Sequence, residues 1–219
     1  MFAAQWIEDE GAEKPMRTHG TFPHRYGRSS SISPDRTPLA LSSTVYNLDV
    51  SLADVDRGVY ENLALRVALH PSESRDYMLT RVLAYCLQYE EGITFSRGGI
   101  SDPDEPPIRI VDPTGRITAW IEIGAPDAER LNKAAKAADR VAVYTHKNPA
   151  TLLRQFAGRR IHRAEEIPIY AFDRAFIEEA AQHLDRRTKI DLSVTGGQLY
   201  LSLGERSFSG AVVEHRIEA

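Results

Sequence analysis

Apolar and polar residues first alternate in a regular way at Thr44. Apolar side chains occupy every second position from Tyr46 to Leu52, and a second alternating run from Leu63 to Leu69 follows a short polar loop. Because neighbouring side chains of a β-strand point to opposite faces, this period is typical of half-buried strands. The pattern predicts two paired strands.

Helical and strand-like patterns alternate along the middle of the chain. An apolar stripe from Met78 to Leu87 predicts a helix that ends near Tyr89. The sequence Asp112-Pro113-Thr114-Gly115 has the residues of a type I turn in their preferred order, so it predicts a hairpin. The further elements predicted here are strands at 93–96, 108–111 and 116–123, a helix through 131–138, and an interior strand at 141–144. A strand, a helix and a strand in that order predict a right-handed parallel crossover.

The C-terminal part of the chain repeats this alternation of elements. Residues 167–171 predict a strand, and Asp173 is expected to cap the helix that follows. Two strands joined at Gly196-Gly197 and a third near 208–213 complete the pattern. We therefore expect an α/β fold with a mixed sheet that carries additional antiparallel strands at its N- and C-terminal ends.

Length and composition indicate one domain preceded by an extension. Residues 1–38 mix Pro, Ser, Gly, Arg and acidic residues without a period, which is typical of disorder, whereas residues 39–219 have the size of one domain. The formal net charge of −4 excludes a strongly basic surface, so contact with nucleic acid requires a local patch. Cys86 is the only cysteine and long apolar runs are absent, so we expect a cytoplasmic protein without disulfides or membrane contact.

Acidic residues flank the predicted hairpin in a way that suggests a metal site. Asp104 precedes the first of its strands and Glu122 lies near the end of the second, so the turn at Asp112 brings both to the same end. Carboxylates in this position are ligands that Mg²⁺ or Mn²⁺ prefers beside a phosphate, and Glu105 is a further candidate. The alternative is that Asp104 and Glu105 are solvated loop residues and that Glu122 forms an ion pair with an arginine.

Basic side chains on the following helix lie off its apolar stripe. Arg130 and Lys133 are three residues apart and share one face. A lysine there can orient or deprotonate the attacking water, and an arginine can neutralise the charge of the phosphate. The alternative is a solvated helix surface. Glu73, placed in the first turn of the first helix, is expected to interact with the helix N-terminus.

Positive charge is concentrated after the predicted interior strand. Residues 146–163 contain one lysine and several arginines but no acidic residue, and Lys147, Arg159 and Arg160 are the candidates for contact with nucleic acid. The alternative is an exposed helix and loop with a solvated charged face. Arg97, in the loop before the hairpin, is a further candidate for contact with phosphate.

Several short motifs together resemble the YaeQ family of bacterial proteins. The motifs that carry this resemblance are His70-Pro71-Ser72-Glu73, Met78 with Arg81, Phe95-Ser96-Arg97-Gly98, Asp104-Glu105-Pro106, Trp120-Ile121-Glu122-Ile123-Gly124, Pro126-Asp127, and Arg130-Leu131 with Lys133-Ala134. The resemblance covers about residues 39–219. The family looks like a branch of the PD-(D/E)XK phosphodiesterase superfamily, whose restriction-endonuclease-like core is a helix, a three-strand meander, a helix and a parallel strand. The segment order predicted above is the same.

The resemblance implies a metal-dependent nuclease. In the superfamily motif an Asp and a following Asp or Glu bind the metal, and these match Asp104 and Glu122. Gly124 stands where the motif has its lysine, and Lys133 on the next helix is the residue expected to replace it. Glu73 matches a position at which related nucleases place a further acidic residue. The expected cofactor is Mg²⁺ or Mn²⁺, and the expected partner is nucleic acid.

Two functions stay open at the level of sequence. The first is hydrolysis of a phosphodiester by a metal-activated water, with Asp104, Glu105 and Glu122 on the ion. The second is a catalytically inactive protein of the same fold that binds nucleic acid or another protein, which the displaced lysine and the acidic net charge favour. The sequence identifies neither a protein partner nor an oligomeric state.

Overall fold

The computed structural model describes residues 43–96 and 105–217. All the described elements belong to one compact unit, residues 40–219. The predicted disordered extension, Arg97 and Asp104 lie outside the described residues. In the described ranges, no helix has the length and apolar character needed to cross a membrane.

The first alternating runs form a long antiparallel hairpin. Strand β1 (Thr44–Asp54) pairs with β2 (Val59–Leu69) along its whole length. The apolar side chains at every second position from Tyr46 to Leu52 are buried, and the residues between them are exposed. Both predicted strands are confirmed, and each is longer than the alternation alone indicated.

The first helix, α1 (Arg75–Leu87), is shorter than its apolar stripe and flanking residues predict. Ser74 is the N-cap, because its hydroxyl accepts a hydrogen bond of 3.1 Å from the backbone N–H of Tyr77. Glu73 therefore lies before the helix rather than in its first turn.

The next three strands form an antiparallel meander. They are β3 (Ile93–Phe95), β4 (Ile108–Val111) and β5 (Ile117–Ile123). Between β4 and β5, the backbone N–H of Gly115 donates to the carbonyl of Asp112 over 2.9 Å. The Asp112 carboxylate also accepts hydrogen bonds from the backbone N–H groups of Thr114 and Arg116, which fixes the turn. The predicted hairpin is confirmed.

A parallel crossover follows the meander. Helix α2 (Ala128–Ala137) connects β5 to β6 (Arg140–Thr145), and the two strands pair parallel. After β6 come α3 (Pro149–Phe156), a 3₁₀ turn at Ala164–Glu166, and β7 (Pro168–Phe172), which is parallel to β6. The parallel pairing predicted from the order of elements is confirmed.

The last helix and three strands complete the fold. Helix α4 (Arg174–Gln182) begins after Asp173, whose carboxylate accepts a hydrogen bond of 3.0 Å from the N–H of Phe176, so the predicted cap is confirmed. The remaining strands are β8 (Arg187–Thr195), β9 (Gln198–Leu203) and β10 (Arg206–Arg216).

The strands form one sheet of ten, in the order β2-β1-β8-β9-β10-β7-β6-β5-β4-β3. Most neighbours are antiparallel, but β1 pairs parallel with β8, and β5, β6 and β7 are parallel to one another. The predicted α/β fold with a large mixed sheet is confirmed.

Hydrophobic clusters lie on both faces of β5. Ile121 belongs to a cluster that contains Met78 of α1, whereas its neighbour Trp120 belongs to a cluster that contains Leu131 of α2. Since alternate residues of a strand share a face, Glu122 points to the same side as Trp120, toward α2.

Candidate functional site

The junction between β5 and α2 brings the candidate residues together. Gly124 has φ +87°, which glycine adopts without steric cost, and its N–H donates to the carbonyl of Tyr144 on β6 over 2.8 Å. Asp127 then caps α2 by accepting a hydrogen bond of 2.7 Å from the N–H of Arg130. This sharp reversal of the chain places the first turn of α2 beside Glu122.

Glu122 is a buried carboxylate with two strong hydrogen bonds. Its side chain is almost entirely enclosed, and its Oε1 accepts a hydrogen bond of 2.6 Å from Trp120 Nε1 and another of 2.6 Å from Arg130 Nε. Burial raises the pKa of Glu122 above its ordinary value, and Arg130 and the Trp120 hydrogen bond act in the opposite direction. The arginine partner that the sequence left as an alternative is therefore present.

Arg130 connects this carboxylate to the start of the hairpin. One terminal nitrogen of its guanidinium donates to the backbone carbonyl of Glu105 over 2.9 Å, and the guanidinium carbon lies 6.0 Å from the centre of the Trp120 ring. The Glu105 carboxylate is one-third exposed and lies 3.6 Å from Arg109 Nη1. Arg130 thus joins the Glu122 side chain to the backbone of Glu105, and the predicted approach of Asp104 to Glu122 stays a prediction.

Lys133 lies three residues after Arg130 and is exposed on α2. Helical geometry places it next to Arg130 on the helix surface, as predicted. The two cations therefore differ in burial, because the Arg130 side chain is only 22% exposed.

Glu73 lies in a second buried ion pair. Its two carboxylate oxygens accept hydrogen bonds of 3.1 and 3.3 Å from the terminal nitrogens of Arg81, and Oε2 also accepts one of 3.1 Å from the N–H of His70. Arg81 in turn donates to the carbonyl of Ala68 over 2.6 Å. The pair therefore ties the end of β2 to α1, and Glu73 directly precedes the N-cap Ser74 rather than lying in the first helical turn as the sequence suggested.

The basic segment 146–163 serves more than one purpose. Lys147, Arg159 and Arg160 are exposed, and the last two line an open cleft of about 780 Å³ whose other wall includes Asp127 at the start of α2. Arg163 instead donates to the carbonyls of Ala135, Ala138 and Asp139 at the end of α2. Arg159 and Arg160 therefore lie near the junction of β5 and α2, and Arg163 caps the C-terminal end of α2.

The metal prediction can be tested in part. Within residues 43–96 and 105–217, no three His, Cys, Asp or Glu side chains are grouped as ligands. Of the predicted ligands, Glu122 and Glu105 both contact Arg130 at this junction, and Asp104 lies outside the described residues. Mg²⁺ is usually bound by one or two carboxylates with waters and phosphate oxygens, so the chemical type of these residues fits such an ion.

A buried histidine was not expected from the sequence. His146 follows β6, and its Nδ1 lies 2.8 Å from the hydroxyl of Thr80, which donates to the carbonyl of Asp76 over 2.7 Å. Since that hydroxyl has one proton, Nδ1 donates to it, and in the neutral imidazole Nε2 is then the unprotonated nitrogen. Nε2 is buried and has no hydrogen-bond partner among the described residues. The sequence signal was its place directly after a buried apolar strand.

The fold and this corner define a mixed α/β protein with a buried carboxylate at the end of a parallel strand pair. The family model described as YaeQ protein matches residues 39–212, so the chain belongs to the YaeQ family. The resemblance seen in the sequence motifs is confirmed.

Similar proteins and structures support this membership. The chain is 30% identical to the uncharacterized protein YaeQ of Salmonella typhi over 165 residues, which is 75% of this chain and 91% of that protein. It is 30% identical to the protein of the same name from Escherichia coli K12 over 166 residues, with the same coverage.

Two crystal structures of YaeQ proteins have the same fold. The protein from Xanthomonas axonopodis pv. citri has a TM-score of 0.74 at 26% identity, covering 81% of this chain and all of that one. The protein from Pseudomonas syringae has a TM-score of 0.72 at 28% identity, covering 80% of this chain and 97% of that one.

Proposed function

We propose that this protein is a Mg²⁺- or Mn²⁺-dependent nuclease of the PD-(D/E)XK superfamily, whose restriction-endonuclease-like core is α1, the β3-β4-β5 meander, α2 and β6. The observation that carries the proposal is the position of Glu122. It is 2% exposed, has a raised pKa, and lies beside the first turn of α2, which carries Arg130. A buried carboxylate with a perturbed pKa beside a cation is a frequent property of functional sites.

In this proposal each residue has a role. Glu122 and Glu105, together with Asp104, would hold the ion, and a bound Mg²⁺ or Mn²⁺ supplies an activated water. Arg130 is placed to neutralise the charge of a phosphate, because its planar guanidinium matches phosphate oxygens. Lys133 is placed to orient the attacking water. Because Arg130 is bonded to Glu122, it must exchange the carboxylate for the phosphate when substrate binds.

The cleft next to α2 offers nucleic acid a path to this corner. Arg159 and Arg160 line the cleft, and Asp127 and Glu129 form part of its other wall. Lys147 follows β6 at the end of the sheet where β5 also ends. In this proposal it makes a second contact with the phosphate backbone. Contacts of this kind position the phosphate backbone and carry no sequence information.

A second function is favoured by the bonds that Glu122 already makes. Its Oε1 accepts two hydrogen bonds of 2.6 Å, which satisfies this oxygen without an ion. In that case the protein binds nucleic acid or a protein partner through the same cleft and does not cleave it.

Metal binding distinguishes the two functions. We would measure thermal stabilisation by Mn²⁺ and Mg²⁺ for the wild type and for Glu122→Gln, which keeps the shape of the side chain and removes its charge. A ligand at a hundredfold excess over its dissociation constant stabilises a protein by about 2.7 kcal/mol, which is easily detected. For a nuclease, we expect a shift and metal-dependent cleavage of oligonucleotides in the wild type, and neither in the variant.

Controls separate a site effect from a loss of charge. Glu205→Gln removes a carboxylate from an exposed turn between β9 and β10 and should behave as the wild type. The double variant Arg159→Ala/Arg160→Ala should weaken oligonucleotide binding under both functions, and Arg66→Ala/Arg187→Ala, in the exposed positions of β2 and β8, should not. Oligonucleotide binding without any metal-dependent shift would favour the non-catalytic function.

Cys86 is the only cysteine in the sequence. This residue is fully buried, and burial raises the pKa of its thiol to about 12, so the reactive thiolate does not form near neutral pH. We propose that Cys86 has a packing role only.

A further inference from the structure

Gly124, two residues after Glu122, lies against the ring of Tyr77 in α1. Gly124 has φ +87°, so any other residue there would be strained. A side chain added at Gly124 would also meet the Tyr77 ring, since its Cβ would lie 3.6 Å from Cε2 and 3.7 Å from Cδ2. A lysine at this position would therefore start from an unfavourable backbone and lie against Tyr77.

Tyr77 lies near Arg81 and beside Gly124, two residues after Glu122. It belongs to the first turns of α1, and the guanidinium carbon of Arg81 is 5.7 Å from the centre of its ring. Burial raises the pKa of the Tyr77 hydroxyl; Arg81 and Arg130 lower it, and Glu73 and Glu122 raise it further. The hydroxyl is thus protonated at neutral pH and within the electrostatic reach of Glu122 and Arg130.

We propose that Tyr77 is a substrate-contacting residue of the Glu122 site, whose hydroxyl donates a hydrogen bond to a non-bridging oxygen of the phosphodiester. This inference rests on the proposed nuclease function. A neutral phenol does not activate water, so Tyr77 stabilises the charge that develops on the phosphate. Tyr77 lies beside Gly124, where a longer side chain would be strained. The orientation of the attacking water is left to Lys133.

A purely structural role for Tyr77 predicts a different result. Its ring packs against the hydrophobic cluster that includes α1. Tyr77→Phe keeps this packing and removes only the hydroxyl, so a packing role predicts unchanged cleavage. Tyr85→Phe is the matched control, since Tyr85 is on the same helix and its hydroxyl donates to the carbonyl of Ile93 over 3.4 Å, toward β3.

The experiment compares metal-dependent cleavage of fluorescein-labelled single- and double-stranded DNA and RNA by the wild type and the two variants. We expect Tyr77→Phe to lower kcat by about 10²-fold, the order observed when one preorganised donor to a developing charge is removed. KM, the melting midpoint and the Mn²⁺-induced shift should stay at the wild-type values, and Tyr85→Phe should cleave normally.

The outcomes separate the two proposals. Normal cleavage by Tyr77→Phe, together with loss of cleavage in Glu122→Gln, would overturn the role of Tyr77 and leave the nuclease function standing. A wild type that neither cleaves nor binds any of these oligonucleotides would overturn both. If Tyr77→Phe fails to fold, Tyr77→His, which keeps a ring and a hydrogen-bond donor, decides: retained cleavage supports the inference, and a folded but inactive variant contradicts it.

Discussion

Glu73 with Arg81 and Glu122 with Arg130 are both pairs of a buried glutamate and an arginine, but the arginines are held differently. Arg81 is 3% exposed, and its two terminal nitrogens contact the two carboxylate oxygens of Glu73. Arg130 is 22% exposed, and it contacts Glu122 through Nε while a terminal nitrogen donates to the carbonyl of Glu105. The first arginine is enclosed, and the second is partly exposed.

This difference indicates which glutamate can change its partner. Removing water from both members of an ion pair makes exchange costly, because an unpaired buried charge is strongly unfavourable. Arg130 can move toward solvent and be replaced, whereas Arg81 cannot. Both carboxylates are buried, so the exposure of the arginine partner is what distinguishes the two pairs.

Arg81→Met should have the largest effect on stability. The substitution keeps an unbranched apolar chain but leaves the Glu73 carboxylate buried without its cation, which typically costs about 3–5 kcal/mol. We expect this loss in the free energy of unfolding measured by urea denaturation. The double variant Glu73→Gln/Arg81→Met should recover much of it. A loss below about 1 kcal/mol would show that water reaches this pair.

Arg130→Met should have a smaller effect. Because solvent can reach this corner, we expect a loss of about 1–3 kcal/mol, the range for a buried acceptor that loses its donor. The variant should retain its Mn²⁺-induced thermal shift if Glu122 can hold an ion without Arg130. A loss equal to that of Arg81→Met would mean that both pairs are structural and would remove the contrast between them.

The pH dependence of stability should be the smallest effect. The folded-state pKa of Glu122 is raised above its ordinary value of 4.5, chiefly by burial, so its stabilising contribution is present below 4.5 and is lost as the pH rises through the folded pKa. Above pH 4.5 the wild type should therefore lose stability relative to Glu122→Gln. The expected loss in free energy of unfolding is about 1.4 kcal/mol per unit of pKa shift.

His146 also changes stability with pH, but it does so equally in the wild type and in Glu122→Gln. Burial, with a smaller contribution from Lys147, lowers the pKa of His146 from its ordinary value of 6.5, so its contribution to stability is present above pH 6.5 and lost as the pH falls. Both proteins contain His146, and the subtraction removes its effect. Urea denaturation between pH 4 and 8 gives the measurement, and a pH-independent difference would contradict the raised pKa of Glu122.

Local patterns in the sequence were sufficient for most of the fold. The alternation in β1 and β2, the turn at Asp112 and the cap at Asp173 each depend on neighbouring residues, so the sequence contains the whole signal. The parallel pairing of β5 and β6 could also be predicted, because a helix between two strands leaves few other arrangements.

The candidate site was predicted less completely, because its contacts are not local. The spacing predicted that Asp104 and Glu122 lie at one end of the hairpin, with Glu105 as a further candidate, but the hydrogen bond between Arg130 and Glu122 forms only in the folded chain. The contact between His146 and Thr80 joins residues far apart in sequence. For Glu73, the sequence suggested a helix position, and the capping by Ser74 moved the helix start beyond it.

The pairing of β1 with β8 has a consequence for the order of folding. Asn47 lies opposite Arg187, and Asp56, in the turn after β1, accepts hydrogen bonds from the backbone N–H groups of Gly196 and Gly197. The edge of β1 that pairs with β8 therefore stays unpaired until most of the chain has left the ribosome. An unpaired strand edge of this kind is prone to associate with other chains, so we expect the protein's early folding intermediates to be its most aggregation-prone form.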